Sequence, residues 1–182
     1  MIFDNSELLR AFPVALREEA LKVISVLPET SLSAYSFYVD IGEDTVSIPY
    51  RIYHDPATIE SAGLSQTQCD LLACLLTRHH SGFVREEYLG KILCSDREWV
   101  PPFVVQLVGE YVIEIIGKID NGTRQLNPDL YRTFLKRNSR FYKTTKRRVQ
   151  SYWDCYHRGE RKEDYAGFQV LAFFDKLMTD SL

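Results

Sequence analysis

The adjacent pair His79 and His80 is the first feature of the sequence that could carry chemistry, because imidazole nitrogens bind metals and transfer protons. Neighbouring residues on a helix point about 100° apart, whereas helical metal ligands are usually spaced three or four residues apart. The pair follows Arg78 and precedes Gly82, where cationic side chains complement the free carbonyls at a helix end. We therefore favour a helix-terminal role and assign no metal ligand.

Two carboxylates, Glu110 and Glu114, share one face of a predicted helix and would suit an acid/base or di-metal pair. The chain contains no Glu-x-x-His, and Lys118 follows one turn later, so a surface ion-pair ladder is favoured. Phosphate-binding glycine motifs and the G-x-S-x-G elbow are also absent from the sequence. We assign no catalytic residue and no cofactor, and an enzyme whose site is assembled from sequence-distant residues stays an alternative.

The cysteines are predicted to be reduced, buried and without a redox or zinc role, because none form a C-x-x-C pair and three lie among apolar neighbours in helical patterns. The first ten residues lack the basic and apolar regions of a secretory signal, and no apolar run approaches the roughly 18 residues of a spanning helix. The sequence thus predicts a cytoplasmic protein without a membrane segment. The cysteines are Cys69, Cys74, Cys94 and Cys155.

Charge is distributed unevenly along the chain. Residues 124–162 hold twelve Lys or Arg against three acids, a net of +9, whereas the rest holds ten against 22, a net of −12. On a helix near 128–157, five basic residues fall within roughly 80° of one another and apolar residues occupy the other side. No acid lies between Asp129 and Asp154 to pair with this predicted basic face. The face comprises Arg132, Lys136, Arg140, Lys143 and Arg147.

The predicted basic face suggests an anionic partner. A non-enzymatic protein–protein interaction or adaptor role with an acidic protein is favoured, because the chain as a whole is acidic, with a net charge of −3 and a pI near 5.8. The association is expected to use either this basic face or the aromatic surface near Tyr152, Trp153 and Tyr156. Nucleic-acid binding through the basic face is the alternative. Pairing of these cations with acids elsewhere in the fold is the commonest fate of such a run.

A homodimer is a further hypothesis, in which an acidic surface of one copy meets the basic helix of another. The length of 182 residues suits a single domain, because one hydrophobic core typically serves about 100 to 200 residues.

The elements that must position these residues are mainly helices with one β-hairpin. Residues alternate between apolar and polar around Gly42-Glu43-Asp44-Thr45, which predicts a hairpin near residues 35–52. An N-terminal helix starts at Asn5 or Ser6 and is interrupted at Pro13. Helical spacing predicts further helices near 64–80, 83–94, 101–119, 128–157 and 164–180. These elements would form a compact helical bundle or short helical array around a central buried helix at residues 103–119.

One stretch resembles a known repeat pattern. Within residues 71–93, Val84-Arg85 is followed by Leu89 and then by Ile92-Leu93. This spacing resembles the second helix of HEAT-type helical repeats and covers about one repeat. The resemblance implies a similar packing of helices in this part of the chain.

Overall fold

The computed structural model describes residues 5–54 and 63–179. The described chain is mainly α-helical with a small β part, which confirms the predicted fold class. It divides into a first unit that ends at Ile92 and a second unit that begins at Leu93. The single-domain assignment stays a prediction.

The first unit begins with two 3₁₀ segments, Asn5–Ala11 and Val14–Leu16, which lead into helix α1 (Arg17–Ser25). Pro13 separates the 3₁₀ segments at the predicted interruption, because proline lacks an N–H and clashes with the preceding turn. The stretch before Pro13 is therefore 3₁₀ and not the α-helix that its spacing predicted.

The predicted hairpin is confirmed and is bracketed by a second pair of strands. Strand β1 (Ser31–Leu32) precedes β2 (Ser36–Ile41) and β3 (Asp44–Pro49), which pair antiparallel and form the hairpin. The two-residue turn places Gly42 at φ +55°, a backbone conformation that glycine adopts without steric cost. Strand β4 (Ile52–Tyr53) pairs antiparallel with β1. Alternate residues of β2 are buried, as period two requires: Phe37, Val39 and Ile41.

Helix α2 (Gln66–Leu76) starts at the predicted capping box, in which the Ser65 hydroxyl accepts from the Gln68 N–H at 3.3 Å. It ends four residues before the predicted end at residue 80. Residues 78–80 instead run beside β4, where Ile52 exchanges backbone hydrogen bonds of 2.9 and 3.0 Å with them. Helix α3 (Gly82–Ile92) follows and packs against α2.

The second unit replaces the predicted helix at 101–119 with two helices, α4 (Pro101–Val108) and α5 (Ile113–Gly122). The prediction of one helix is wrong because the backbone is extended at Val112, at φ −84° and ψ 103°. Gly109 precedes this break, and glycine in a helix interior costs about 1 kcal/mol relative to alanine. Every residue of α4 is buried, so the predicted central buried helix is α4 alone.

The predicted helix at 128–157 is also divided. Helix α6 (Pro128–Arg137) begins at the predicted cap, where the Asn127 side-chain oxygen accepts from two backbone N–H groups. Asn138 then leaves the helical conformation, at φ −104° and ψ 43°, before helix α7 (Ser139–Tyr152). A π-helical segment, Trp153–His157, extends α7.

The bend at Asn138 has a local cause. The side-chain amide and the backbone N–H of Asn138 both donate to the carbonyl of Phe134, at 3.0 and 2.9 Å. Asparagine side chains offer the backbone this kind of alternative to regular helix, which apolar periodicity does not register. Helix α8 (Ala166–Thr179) closes the described chain and packs against α5 and α6. Within residues 5–54 and 63–179, no helix is long and apolar enough to span a membrane.

Candidate partner-binding surface

The bend at Asn138 distributes the predicted basic face over two helices. Lys136 lies in the last turn of α6, where positive charge interacts favourably with the helix dipole. Arg140, Lys143 and Arg147 lie on α7 at spacings of three and four, so they form one stripe about 10 Å long. The angular clustering expected for a straight helix therefore holds within α7 and does not extend across the bend.

Arg132 takes part in internal packing. Its Nε donates to the carbonyl of Leu177 in α8 at 2.8 Å, and its guanidinium forms an ion pair with Asp129 one turn earlier. The side chain of Arg132 is only 18% exposed. The expectation that no acid of this helix pairs with the stripe does not hold here, and we leave Arg132 out of the candidate surface.

Lys146 belongs to a polar cluster between α7 and α8. The ammonium of Lys146 lies 2.6 Å from the carboxylate of Asp175, which also accepts a hydrogen bond of 2.9 Å from the Tyr142 hydroxyl. Burial, together with the nearby Asp175 carboxylate, raises the pKa of the Tyr142 phenol well above its usual value. These contacts fasten α7 to α8 and pair the Lys146 charge within the second unit.

Five other cations on α6 and α7 remain solvent-exposed. None of them makes a hydrogen bond or ion pair through its side chain with the residues that the structure describes. They include Arg137, which follows Lys136 in the last turn of α6. We call these residues the basic surface: Lys136, Arg137, Arg140, Lys143 and Arg147.

Tyr152 and Tyr156 belong to a row of three tyrosines, in which the middle one, Tyr152, is half-buried and the other two are exposed. The ring centroids of Tyr111 and Tyr152 are 6.1 Å apart, and those of Tyr152 and Tyr156 are 6.3 Å apart. Tyr111 and Tyr156 are 60% and 72% exposed. Sequence reasoning missed Tyr111 because its place in the apolar stripe predicted burial, whereas the break after Gly109 turns it outward. We call Tyr111, Tyr152 and Tyr156 the tyrosine row.

Trp153 packs elsewhere. Its ring contacts Phe168 of α8 edge-on at a centroid distance of 6.0 Å, and the Lys162 ammonium lies 4.9 Å from the Trp153 ring centroid. A half-buried ring beneath a cation contributes to the packing of α8 against the π-helical segment. Trp153 is therefore separate from the tyrosine row.

The histidine pair is not arranged for metal binding. His79 is buried, its Nδ1 accepts from the Ser81 N–H at 3.1 Å, and its Nε2 lies 2.9 Å from the His54 carbonyl. A carbonyl can only accept, so Nε2 carries the proton and both ring nitrogens are engaged. Exposed His80 stacks on Tyr53. Within the described ranges, no three His, Cys, Asp or Glu residues are grouped to hold a metal.

The predicted helix-terminal role falls to arginines. Arg78 donates from Nε and Nη2 to the Thr77 carbonyl at 2.9 and 2.6 Å, at the end of α2. Arg85 of α3 donates from Nη1 to the carbonyls of His79 and His80 at 2.9 and 2.8 Å. These carbonyls belong to the turn that follows α2, outside a regular helix, and the guanidinium groups supply their donors.

Two further expectations are corrected. Glu110 is buried in the segment between α4 and α5, whereas Glu114 is exposed on α5, so the two carboxylates do not share a helix face. All four cysteines are free, as predicted, but Cys94 and Cys155 are exposed and not buried. Cys74 is buried, and burial raises the pKa of its thiol.

Three comparisons of this chain, with models of protein families, with curated proteins and with solved structures, found no match. The resemblance of residues 71–93 to a HEAT repeat therefore has no family match behind it, although α2 and α3 do pack as a helix pair.

Proposed function

We propose that this chain is a non-catalytic binding protein whose second unit associates with an acidic surface of another protein. The observation that carries the proposal is the basic surface, whose five exposed cations make no side-chain ion pair among the described residues. Arg132 and Lys146, on the same two helices, are paired internally. Like charges three or four residues apart destabilise a helix by a few tenths of a kcal/mol, a cost that an acidic partner would remove.

The charge of each unit supports a protein partner. The second unit holds 15 basic against 12 acidic residues, a net of +3, and the first holds seven against 13, a net of −6. A long polyanion such as a nucleic acid experiences the field of the whole chain, which is acidic. A protein with a few localised carboxylates interacts mainly with the basic surface, because charges beyond about 10 Å are screened at 0.1 M salt.

The geometry of α7 suits an acidic helix. Arg140, Lys143 and Arg147 repeat at spacings of three and four, the same spacings at which Glu or Asp residues align on one face of a partner helix. Tyr152 follows Arg147 by five residues, which places it about 140° around the helix from Arg147, so the tyrosine row lies on another face of the second unit than the stripe. Exposed tyrosines supply apolar contact and a hydroxyl, which is why they are enriched at protein interfaces.

The test uses a fluorescein-labelled helical peptide with glutamates at spacings of three and four, and fluorescence anisotropy at two salt concentrations. The natural chain is compared with a Lys143→Glu/Arg147→Glu variant. We expect about tenfold weaker binding by the variant, since two exposed attractions become repulsions of similar size. A Lys22→Glu/Lys176→Glu variant, with the same change in net charge at exposed positions outside the basic surface, serves as the matched control and should lose less than about twofold.

Two outcomes would replace the proposal. Equal losses in the variant and its control would show that net charge, and not the basic surface, governs binding. The tyrosine row would also let single-stranded nucleic acid stack on exposed rings. A labelled oligothymidylate that binds more tightly than the peptide, and loses affinity with both Lys143→Glu/Arg147→Glu and Tyr156→Ser, would make nucleic-acid binding the function.

A further inference from the structure

The first unit contains a cavity at some distance along the chain from the basic surface. It has a volume of about 360 Å³ and lies between the N-terminal 3₁₀ segments and the hairpin. Pockets for small molecules typically run from about 300 to 1,000 Å³, so a compact ligand would fit. The cavity is lined entirely by residues of the first unit.

Apolar groups line one part of the cavity. Phe12 follows the first 3₁₀ segment and Val46 lies in β3, and they are only 4% and 2% exposed. Both side chains are anchored in the core of the first unit, so this part of the lining is preformed. The apolar surface open to a ligand comes from two neighbouring lining residues, Val14 and Tyr38, each of which is 68% exposed.

Charged groups line another part. Arg17 is exposed at the start of α1 and makes no side-chain ion pair or hydrogen bond with the residues that the structure describes. Arg10 pairs with Glu7 at 3.1 Å, but both side chains are more than half exposed, and such a pair contributes little. Two guanidinium groups therefore border a cavity whose wall is apolar.

The acid that lines the cavity is already engaged. Asp44, the first residue of β3, accepts a hydrogen bond of 3.0 Å from the Val14 N–H. This bond ties the hairpin to the second 3₁₀ segment and offsets part of the negative charge of Asp44. With two guanidiniums and one carboxylate, the lining carries a net charge of +1.

We propose that this cavity binds a small molecule that joins one carboxylate to a compact apolar body. The planar guanidinium fork matches a carboxylate bidentately, and Arg17 has no competing partner among the described residues. The apolar body lies against Val14 and Tyr38, the lining side chains with the largest exposed apolar surface. This site is independent of the basic surface, and it joins the 3₁₀ segments to the hairpin.

The probe is phenylacetate, titrated against ¹⁵N-labelled full-length chain and followed by amide chemical shifts. We expect saturable shifts at Val14, Arg17 and Val46 with a Kd near about 1 mM, as is common for a ligand of about ten non-hydrogen atoms. An Arg10→Gln/Arg17→Gln variant should bind at least about fivefold more weakly, because it keeps the cavity and loses both cations. Both arginines are exposed, so the variant should fold, and its unperturbed amide spectrum checks this. A Lys22→Gln/Lys176→Gln variant, which also loses two exposed cations but none that line the cavity, is the matched control and should bind like the natural chain.

Two further probes separate the parts of the proposal. Phenylacetamide lacks the charge and inorganic phosphate lacks the apolar body, so each should bind at least about fivefold more weakly than phenylacetate. The proposal is overturned if phenylacetate gives no saturable shifts up to 10 mM, an upper limit set at roughly ten times the expected Kd. Equal binding of either probe, or an unchanged Kd in the Arg10→Gln/Arg17→Gln variant, overturns it as well.

Discussion

The two units use arginine in opposite ways. In the first unit, Arg78 and Arg85 are 0% and 1% exposed and donate to backbone carbonyls near the end of α2. In the second unit, Arg140 and Arg147 lie on the outside of α7. The difference follows from the acceptors, because the Thr77, His79 and His80 carbonyls lie in the turn after α2, whereas the carbonyls of α7 are used within its helix. Tertiary neighbours therefore decide whether a basic residue supports the fold or stays exposed to a binding partner.

The contrast between buried and exposed arginines predicts its largest effect at Arg85. An Arg85→Ala change leaves the carbonyls of His79 and His80 without their guanidinium donor and opens a void in the first unit. We expect a loss of about 3 kcal/mol in the free energy of unfolding, from two charge-assisted hydrogen bonds and lost packing. Urea unfolding followed by far-ultraviolet circular dichroism measures it, with Arg140→Ala as the exposed control. A loss below about 1 kcal/mol would mean that buried and exposed arginines differ little here.

A smaller effect is expected in the second unit, where the Tyr142 hydroxyl donates a hydrogen bond to the Asp175 carboxylate. Tyr142→Phe removes this hydrogen bond and should cost about 1 kcal/mol at pH 8. The raised pKa of Tyr142 means that the folded chain keeps a proton which the unfolded chain releases above about pH 10. The contribution of Tyr142 to the free energy of unfolding is thus fully present below about pH 10. Above that pH it falls by up to about 1.4 kcal/mol per pH unit.

The Tyr142→Phe variant lacks this dependence on pH. The difference in the free energy of unfolding between the two chains should therefore vanish near pH 11, a value about one unit above the usual tyrosine pKa. Urea unfolding of both chains at pH 8 and pH 11 provides the measurement. Because other tyrosines, such as Tyr165, titrate alike in both chains, the difference between chains isolates Tyr142. A deficit that stays constant between the two pH values would contradict the assignment.

The smallest effect is expected at the basic surface. Replacing Arg140, Lys143 and Arg147 together by glutamine removes no side-chain hydrogen bond or ion pair between described residues. The free energy of unfolding should stay within about 0.5 kcal/mol of the natural chain, with a slight gain from relieved repulsion at low salt. Thermal unfolding at roughly 20 and 500 mM salt, where exposed charges are weakly and strongly screened respectively, checks this. A loss above about 1 kcal/mol would show that these cations support the fold.

Features encoded by neighbouring residues were predictable from the sequence. The hairpin followed from period-two alternation and a glycine at its turn, and the capping box at Ser65 and the cap at Asn127 each marked a helix start. Such features involve residues within four positions of each other, and local sequence contains all the necessary groups. The fold class was predictable for the same reason.

The pairings were not predictable because their partners lie elsewhere in the chain, whereas the breaks were missed because apolar periodicity does not register a glycine or an asparagine that ends a helix locally. Apolar spacing continues through Gly109 and Asn138, yet both helices end there. Arg132 was placed in the basic face because its acceptor, the Leu177 carbonyl, is 45 residues away. Tyr111 joined the candidate surface only through the break that precedes it. Exposure of a side chain depends on such tertiary contacts, which periodicity within one element cannot report.

Chemical ageing of Asn138 by deamidation would change the second unit. An asparagine followed by serine is a pair prone to slow hydrolysis of the side-chain amide, and Asn138 precedes Ser139. Here the amide is buried and donates to the Phe134 carbonyl, which protects it while the bend is intact. Deamidation would place a carboxylate against that carbonyl, two acceptors with no proton between them. The damaged chain would lose the contact that holds α6 and α7 at their bend, and with it the spacing between Lys136 and Arg140.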